Sequence, residues 1–183
     1  MSALSLIDPT STLGEQALAM INEIGPDDGG FQGLERPLPP GTLAKYIAQL
    51  LDEAAGRGLP QGYVPMNTYW LLGGGNQLLG ISRLRHRLTD SLTRRGGHIG
   101  YWVRPRERGK GYGTRLLSLT CRKAAALGIE RILVTCSRTN NWSVRIIEGN
   151  GGILDSSLSN SAEDPELHFW IDTRTVQHVA SPL

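Results

Sequence analysis

The stretch "VRPRERGKGYGTRLL", residues 103–117, puts Arg104, Arg106, Arg108, Lys110 and three glycines between a strand-like run and a leucine-rich helix. Gly109, Gly111 and Gly113 alternate just ahead of the helix N-terminus. Such a terminus exposes unpaired backbone N–H groups and the positive end of the helix dipole. Glycine has no Cβ and accepts positive φ, so the backbone can close around an anion while Arg108 and Lys110 add charge at the rim. The competing reading is a basic, glycine-rich turn that merely connects strand to helix.

Outward from this loop the pattern is α/β. "HIGYWV" precedes it as a strand. The helix is expected from about Gly113 to Leu127, with Leu116, Leu117, Cys121, Ala124 and Leu127 inward, Arg115, Ser118 and Arg122 outward, and Gly128 closing it. "RILVTC" reads as a buried strand and "NWSVRIIEGN" as a short helix, with "ILDSS" and "LHFWI" as two further strands. Upstream, "NTYWLL" and "QLLGISRLR" flank "GGGN" as a hairpin, and "LTDSLTRRGG" is a connecting loop. The first third is helix and loop. Thr12–Ile24 carries a helical stripe, and Thr42 is placed to cap a helix over Leu43–Ala55. This order predicts one domain over 1–183. Residues 1–66 form a helical part, and 67–171 form a mixed, mostly antiparallel sheet flanked by helices, with one βαβ crossover carrying the loop.

The bulk numbers exclude several classes. In 183 residues, 39% are apolar and 20% charged, an ordinary globular composition long enough for a core. A net charge of +2 gives no bulk attraction to nucleic acid or membrane, and no window has the run of about 20 apolar residues that spans a bilayer. Two cysteines, Cys121 and Cys136, make no disulfide framework. With no signal-like N-terminus, a cytoplasmic location is expected. No metal-ligand cluster is expected.

Two nucleotide classes fit the loop poorly. "GKGYGT" lacks the G-x-x-x-x-G-K-[ST] of a Walker loop. Its G-x-G-x-G spacing, four residues after the strand, departs from the dinucleotide fingerprint, although Ser137-Arg138 at the next strand's end suits a 2′-phosphate. An NADP-linked enzyme therefore stays open.

"IGYWVRPRERGKGYGTRLL" resembles the acyl-CoA-binding segment of the GCN5-related N-acetyltransferase (GNAT) family. The family pattern [Q/R]-x-x-G-x-[G/A] falls on Arg108, Gly111 and Gly113. "NNWSVRIIEGNGG" is similar to its downstream Asn-plus-helix motif. The likeness spans roughly residues 67–171. "VPMNTYWLL", "LRHRL" and "GGHIGYWVRP" are similar to a bacterial subgroup of predicted acetyltransferases.

The resemblance implies an acyl-CoA N-acyltransferase fold and direct transfer of an acetyl group from acetyl-CoA to an amine on a small molecule or peptide. A non-catalytic acyl-CoA sensor is the alternative. Arg108, Gly109, Lys110, Gly111, Tyr112, Gly113 and Thr114 are then expected around the diphosphate. The strands ending at Val103 and Cys136 would splay for the pantetheine arm, which pairs near Val103. A backbone N–H near Trp102 would polarise the carbonyl, worth about 3 kcal/mol in the barrier. His98, where many relatives carry glutamate, is the expected general base, with His86 competing. The usual tyrosine falls on Ile147, leaving a group such as Ser143 as proton donor or none. Asn140 is read either as a pantetheine ligand or as a helix N-cap. Cys136 is either an acyl carrier or a small buried hydrophobe.

Asp27, Asp28 and Glu35 are either amine-attracting or merely solvated. Of Tyr69, Trp70, Tyr101 and Trp102, strand alternation sends half to the core and half toward an acceptor groove. The family also implies a possible homodimer, with the polar tail "TRTVQHVASPL" either frayed or docked on a neighbour.

Overall fold

Apolar, β-favouring residues make strands of Met66–Leu72 (β2) and Leu78–Arg85 (β3). The glycine turn between them lets them pair antiparallel, Trp70 opposite Ile81 and Thr68 opposite Arg83. Ile99–Val103 (β4) joins the other side of β3, with Trp102 opposite Ile81 and Tyr101 opposite Ser82. Ser5–Ile7 (β1) pairs with β2 and completes the order β1-β2-β3-β4; three residues are too few to give a readable period. The computed structural model describes residues 4–28, 31–34, 37–159 and 165–176. Glu35 and the tail beyond Val176 lie outside them.

A second sheet has the order β5-β7-β6, from Arg131–Ser137 (β5), Ile153–Leu154 (β6) and Glu166–Asp172 (β7). The expected "ILDSS" strand thus shrinks to two residues. The α/β class stands, and every ladder is antiparallel. The crossover from β4 through Tyr112–Ala126 (α4) to β5 links two sheets that share no ladder among the described residues.

Strand alternation sorts the packing. On one face of the first sheet, Trp70, Ile81 and Trp102 meet Met20 and Ile21 of Gly14–Glu23 (α1) and Tyr46, Ile47 and Leu50 of Leu43–Ala54 (α2). On the other face, Tyr69, Leu84 and Ile99 meet Leu117, Cys121 and Ala124 of α4. The same cluster takes in Ile132, Val134 and Phe169 of the second sheet. One helix therefore underlies both sheets, each fully buried leucine contributing about 2 kcal/mol.

Packing against two sheets widens the buried arc of α4 and corrects two expectations. Ser118 is only 3% exposed, and Thr120 is buried with its hydroxyl 2.8 Å from that of Ser82. Leu127, past the last helical turn, is 48% exposed. Thr42 does not cap α2 through its side chain, because its hydroxyl donates to the Pro39 carbonyl at 2.7 Å. The loop after β3 contains a short helix, Asp90–Arg94 (α3), whose first turn is capped by Thr89 accepting from Leu92 N.

Candidate active site

Gly109 and Gly111 take φ of 76° and 80°, left-handed values that suit glycine, and α4 begins at Tyr112 with no side chain capping it. Just before the bend, Glu107 and Arg108 donate their N–H groups to the carbonyls of Arg104 and Pro105; just after it, Arg115 donates to Gly111. Between them, the main-chain N–H groups of residues 109–114 have no protein acceptor among the described residues. Gly113 serves another end. A Cβ there would lie 2.6 Å from Ile146 Cδ1, so its absence lets α4 approach Asn141–Glu148 (α5).

Two of the loop's basic side chains already have partners. Arg108 donates from Nε to Val103 O at 3.0 Å and from Nη2 to Asp28 Oδ2 at 2.6 Å. The same carboxylate oxygen accepts from Trp102 Nε1 at 2.6 Å. Burial pushes the Asp28 carboxyl up, but the bonds from Trp102 and Arg108 outweigh it and hold the pKa below the usual value. Lys110 pairs with Glu107 at 2.9 Å. Asp28 is therefore a structural tether rather than a solvated charge, and Asp27 also has an interaction of its own.

Beside this loop β4 and β5 part. Arg85 N donates to His98 O at 2.8 Å and Arg104 N to Leu79 O at 3.0 Å. Antiparallel ladders alternate, so the N–H of Trp102 between them points to β3. Those of Tyr101 and Val103 point the other way, into the gap. The main-chain N–H groups near Trp102 that open to the gap are thus those of Tyr101 and Val103.

His98 sits at the root of the gap and holds it together. Its N–H donates to Leu133 O at 2.7 Å, and its ring Nδ1 accepts from Leu133 N at 2.9 Å. The residue is 7% exposed, and burial, helped by the charge of Arg85, pushes its pKa down to about 4. The ring is thus neutral near pH 7, carries its proton on Nε2, and has its one lone pair engaged. A general base needs that lone pair, and in this geometry it is spent on pinning β4 to β5. His86 donates from Nε2 to Asn67 Oδ1 at 2.6 Å, on β2 and away from β4, and burial lowers its pKa. No hydrogen bond joins the two histidine rings among the described residues.

Across the gap, Asn140 caps α5, its Oδ1 accepting from Ser143 N at 3.1 Å. Its Nδ2 keeps its donors. Ser143 Oγ lies 2.7 Å from the hydroxyl of Tyr101, which strand alternation places on the α4 side. Burial pushes the Cys136 thiol up to about 11. A thiol so protonated is a poor nucleophile, which favours the hydrophobe reading. Tyr101 was legible only as one of four strand aromatics; its pairing with Ser143 joins residues 42 apart and leaves no local pattern. Among the described residues no cluster of three His, Cys, Asp or Glu could hold a metal, and no helix is long and apolar enough to cross a membrane.

The profile of the acetyltransferase (GNAT) domain matches residues 30–153. No curated protein matches the chain significantly. Similar solved structures include a spermidine N-acetyltransferase SpeG chimera from Vibrio cholerae and hSSAT, 10% identical with TM-score 0.62, covering 97% of this chain and 99% of that one. The GNAT domain of S. lividans PAT is 15% identical, TM-score 0.59, with 93% and 90% covered. RimL, a ribosomal L7/L12 alpha-N-protein acetyltransferase in complex with coenzyme A, is 16% identical, TM-score 0.61, with 94% and 95% covered. These likenesses speak for the fold. The profile spans the hairpin, the glycine loop, α4, β5 and α5, and on that match the chain belongs to the GNAT acetyltransferase family.

Proposed function

We propose that this protein transfers an acetyl group from acetyl-CoA to a primary amine by direct attack. The observation that carries the reading is the run of main-chain N–H groups at residues 109–114, without an acceptor among the described residues, at a helix N-terminus and at the mouth of the β4–β5 gap. Donors so arranged suit a diphosphate, with Arg108 and Lys110 at the rim and Tyr112 and Thr114 in the first turn. The pantetheine arm then runs past Val103 toward Asn140 Nδ2 and Ser143. The main-chain N–H of Tyr101 or Val103 takes the carbonyl oxygen as negative charge develops, a contribution of about 3 kcal/mol.

The acceptor class draws on the neighbours, whose names give spermidine and the alpha-amine of a ribosomal protein. Both are primary amines. The N-terminal part, residues 1–66, is assigned to the acceptor side of a single catalytic domain.

The test is melting with acetyl-CoA, NADP and ATP added separately. At 100 times Kd a ligand specific for the native state adds about 2.7 kcal/mol, a rise of several degrees for a chain of this size. A rise with NADP and none with acetyl-CoA overturns the proposal. One observation favours a second reading, acyl-CoA binding without catalysis: the lone pair of His98, beside the gap, is engaged by Leu133 N. Acetyl-CoA stabilisation with no thiol release across a panel of amines selects that reading.

A further inference from the structure

On the α1–α2 face of the first sheet, unpaired donors gather on neighbouring positions. Thr68 Oγ1, Trp70 Nε1 and Arg83 Nε are buried and have no hydrogen-bond partner among the described residues. Thr68 stands opposite Arg83 across β2 and β3, and Trp70, two residues along β2, points to the same face. All three atoms can donate. A buried donor left unpaired is costly, so three on one face point to an acceptor supplied by a ligand.

Arg83 brings the charge. It donates from Nη1 to Gln32 O at 2.7 Å and lies 4.7 Å over the Phe31 ring, but no carboxylate pairs with it among the described residues. Asp28 is spent on Trp102 and Arg108, and Glu23 on Arg104. Arg85, next on the same face of β3, is spent on the carbonyls of Gly96 and Gly97. Arg83 is half-buried: Nε lies inside, while the bond to Gln32 O is exposed, so a ligand can reach the guanidinium. The gap is close by. Arg83 stands opposite Gly100, and a Cβ on Gly100 would lie 3.5 Å from the Phe31 ring. Gly100 adjoins Tyr101, whose N–H opens to the gap, so the Cα atoms of Arg83 and Tyr101 are within about 9 Å. Because α4 covers the opposite face, a molecule held at Arg83 meets the gap from the α1–α2 side.

We propose that Thr68 and Arg83 hold an oxyanion of the acceptor, a carboxylate or phosphate on the same small molecule as its primary amine. This rests on the acetyl-CoA reading above and narrows its acceptor class. A guanidinium suits either oxyanion, and the Thr68 hydroxyl adds a neutral donor beside it. A polyamine fits badly, since it brings positive charge to a guanidinium without a carboxylate, beside acids that are already bonded. The oxyanion fixes one end of the molecule and leaves the amine end to extend toward the gap.

The test uses protein saturated with CoA, so that the glycine loop is filled, and four short probes: 3-aminopropanoate, 2-aminoethyl phosphate, 3-aminopropanamide and 1,3-diaminopropane. Dissociation constants are read by calorimetry. An oxyanion probe should bind about tenfold tighter than the amide or the diamine, and whichever of the two binds better names the oxyanion. Arg83→Gln should bring that ratio to about one, whereas Arg83→Lys should keep part of it. Thr68→Val should lower the ratio about threefold without lowering the melting temperature, because the hydroxyl it removes has no partner in the protein. A Thr68→Val protein that melts lower and keeps the native ratio overturns the role of Thr68. Equal affinities for all four probes, no binding of any, a preference for the diamine, or a native ratio in Arg83→Gln overturns the inference while CoA binding stands. Should CoA itself fail to bind, the proposed function falls with it.

Discussion

The glycine loop after β4 and the segment from α1 to α2 hold their polar groups in opposite ways. In the loop, consecutive amides at residues 109–114 have no protein acceptor among the described residues. In the N-terminal segment, several charged groups are matched within the protein. Asp28 takes Trp102 and Arg108, Glu23 takes Arg104, and Arg83 donates to Gln32 O and stacks 4.7 Å over the Phe31 ring. A site built from backbone donors advertises itself through glycine spacing, whereas one built from side chains hides in pairings that only the fold creates.

The comparison depends on the junction that keeps β4 and β5 joined at their root and apart at their tips. Gly97 is its most sensitive point. It takes φ of 57°, and a Cβ would drive into the Leu133 carbonyl, a backbone atom with no room to yield. Gly97→Ala should cost about 4 kcal/mol, lowering the melting temperature by roughly 10 °C. Gly75, at φ 67° with nothing within 4 Å of a Cβ, is the control, and its alanine variant should cost only about 1 kcal/mol. Equal losses at the two positions would reduce the junction to ordinary glycine strain.

His98 should make the same junction sensitive to acid. Its pKa falls from 6.5 to about 4 on folding, so the unfolded chain takes up the proton first. The contribution is complete above about pH 6.5, fades between 6.5 and 4, and is gone below, a span of about 3 kcal/mol. Denaturation midpoints across that window should fall more steeply for the native protein than for His98→Asn, which keeps an acceptor for Leu133 N but does not titrate. Parallel curves would show that the staple carries no proton linkage.

A smaller effect is expected where the two regions touch. Arg108 and Asp28 are 47% and 31% exposed, so their coupling in a double-mutant cycle of Arg108→Gln and Asp28→Asn should be under about 1 kcal/mol in melting experiments. The same cycle read in acetyl-CoA affinity should show stronger coupling, because a diphosphate bound as proposed would compete with Asp28 for one guanidinium. Identical coupling in both measurements would separate the N-terminal loop from the cofactor.

Much of the first sheet and the loop was legible because each rests on local pattern. The period of β2 and β3, the glycine turn and the spacing at Gly109 and Gly111 are all contiguous. What stayed hidden is long-range. Strand β1 has three residues. Ser118 is buried because α4 serves two sheets. Gly113 looks like part of the anion loop, yet its missing side chain makes room for Ile146. His98 read as a base because a histidine at a strand end offers a titrating ring; only the approach of Leu133, 35 residues away, uses up its lone pair.

The smallest effect expected is at His86, and it bears directly on which side of the sheet the chemistry lies. Its ring donates to Asn67 at the start of β2, and nothing on β4 or β5 engages it among the described residues. His86→Gln keeps a donor of similar reach for Asn67, so stability should change by no more than about 0.5 kcal/mol. Thiol release from acetyl-CoA, with any amine that the panel finds active, should keep its kcat/KM within about twofold at every pH, as expected of a group outside the reacting atoms. A loss of tenfold or more, growing as pH falls, would instead assign proton removal to Nδ1 of His86. The acceptor would then enter over the β2–β3 end of the sheet, and the N-terminal segment, not the glycine loop, would be where this enzyme's chemistry is decided.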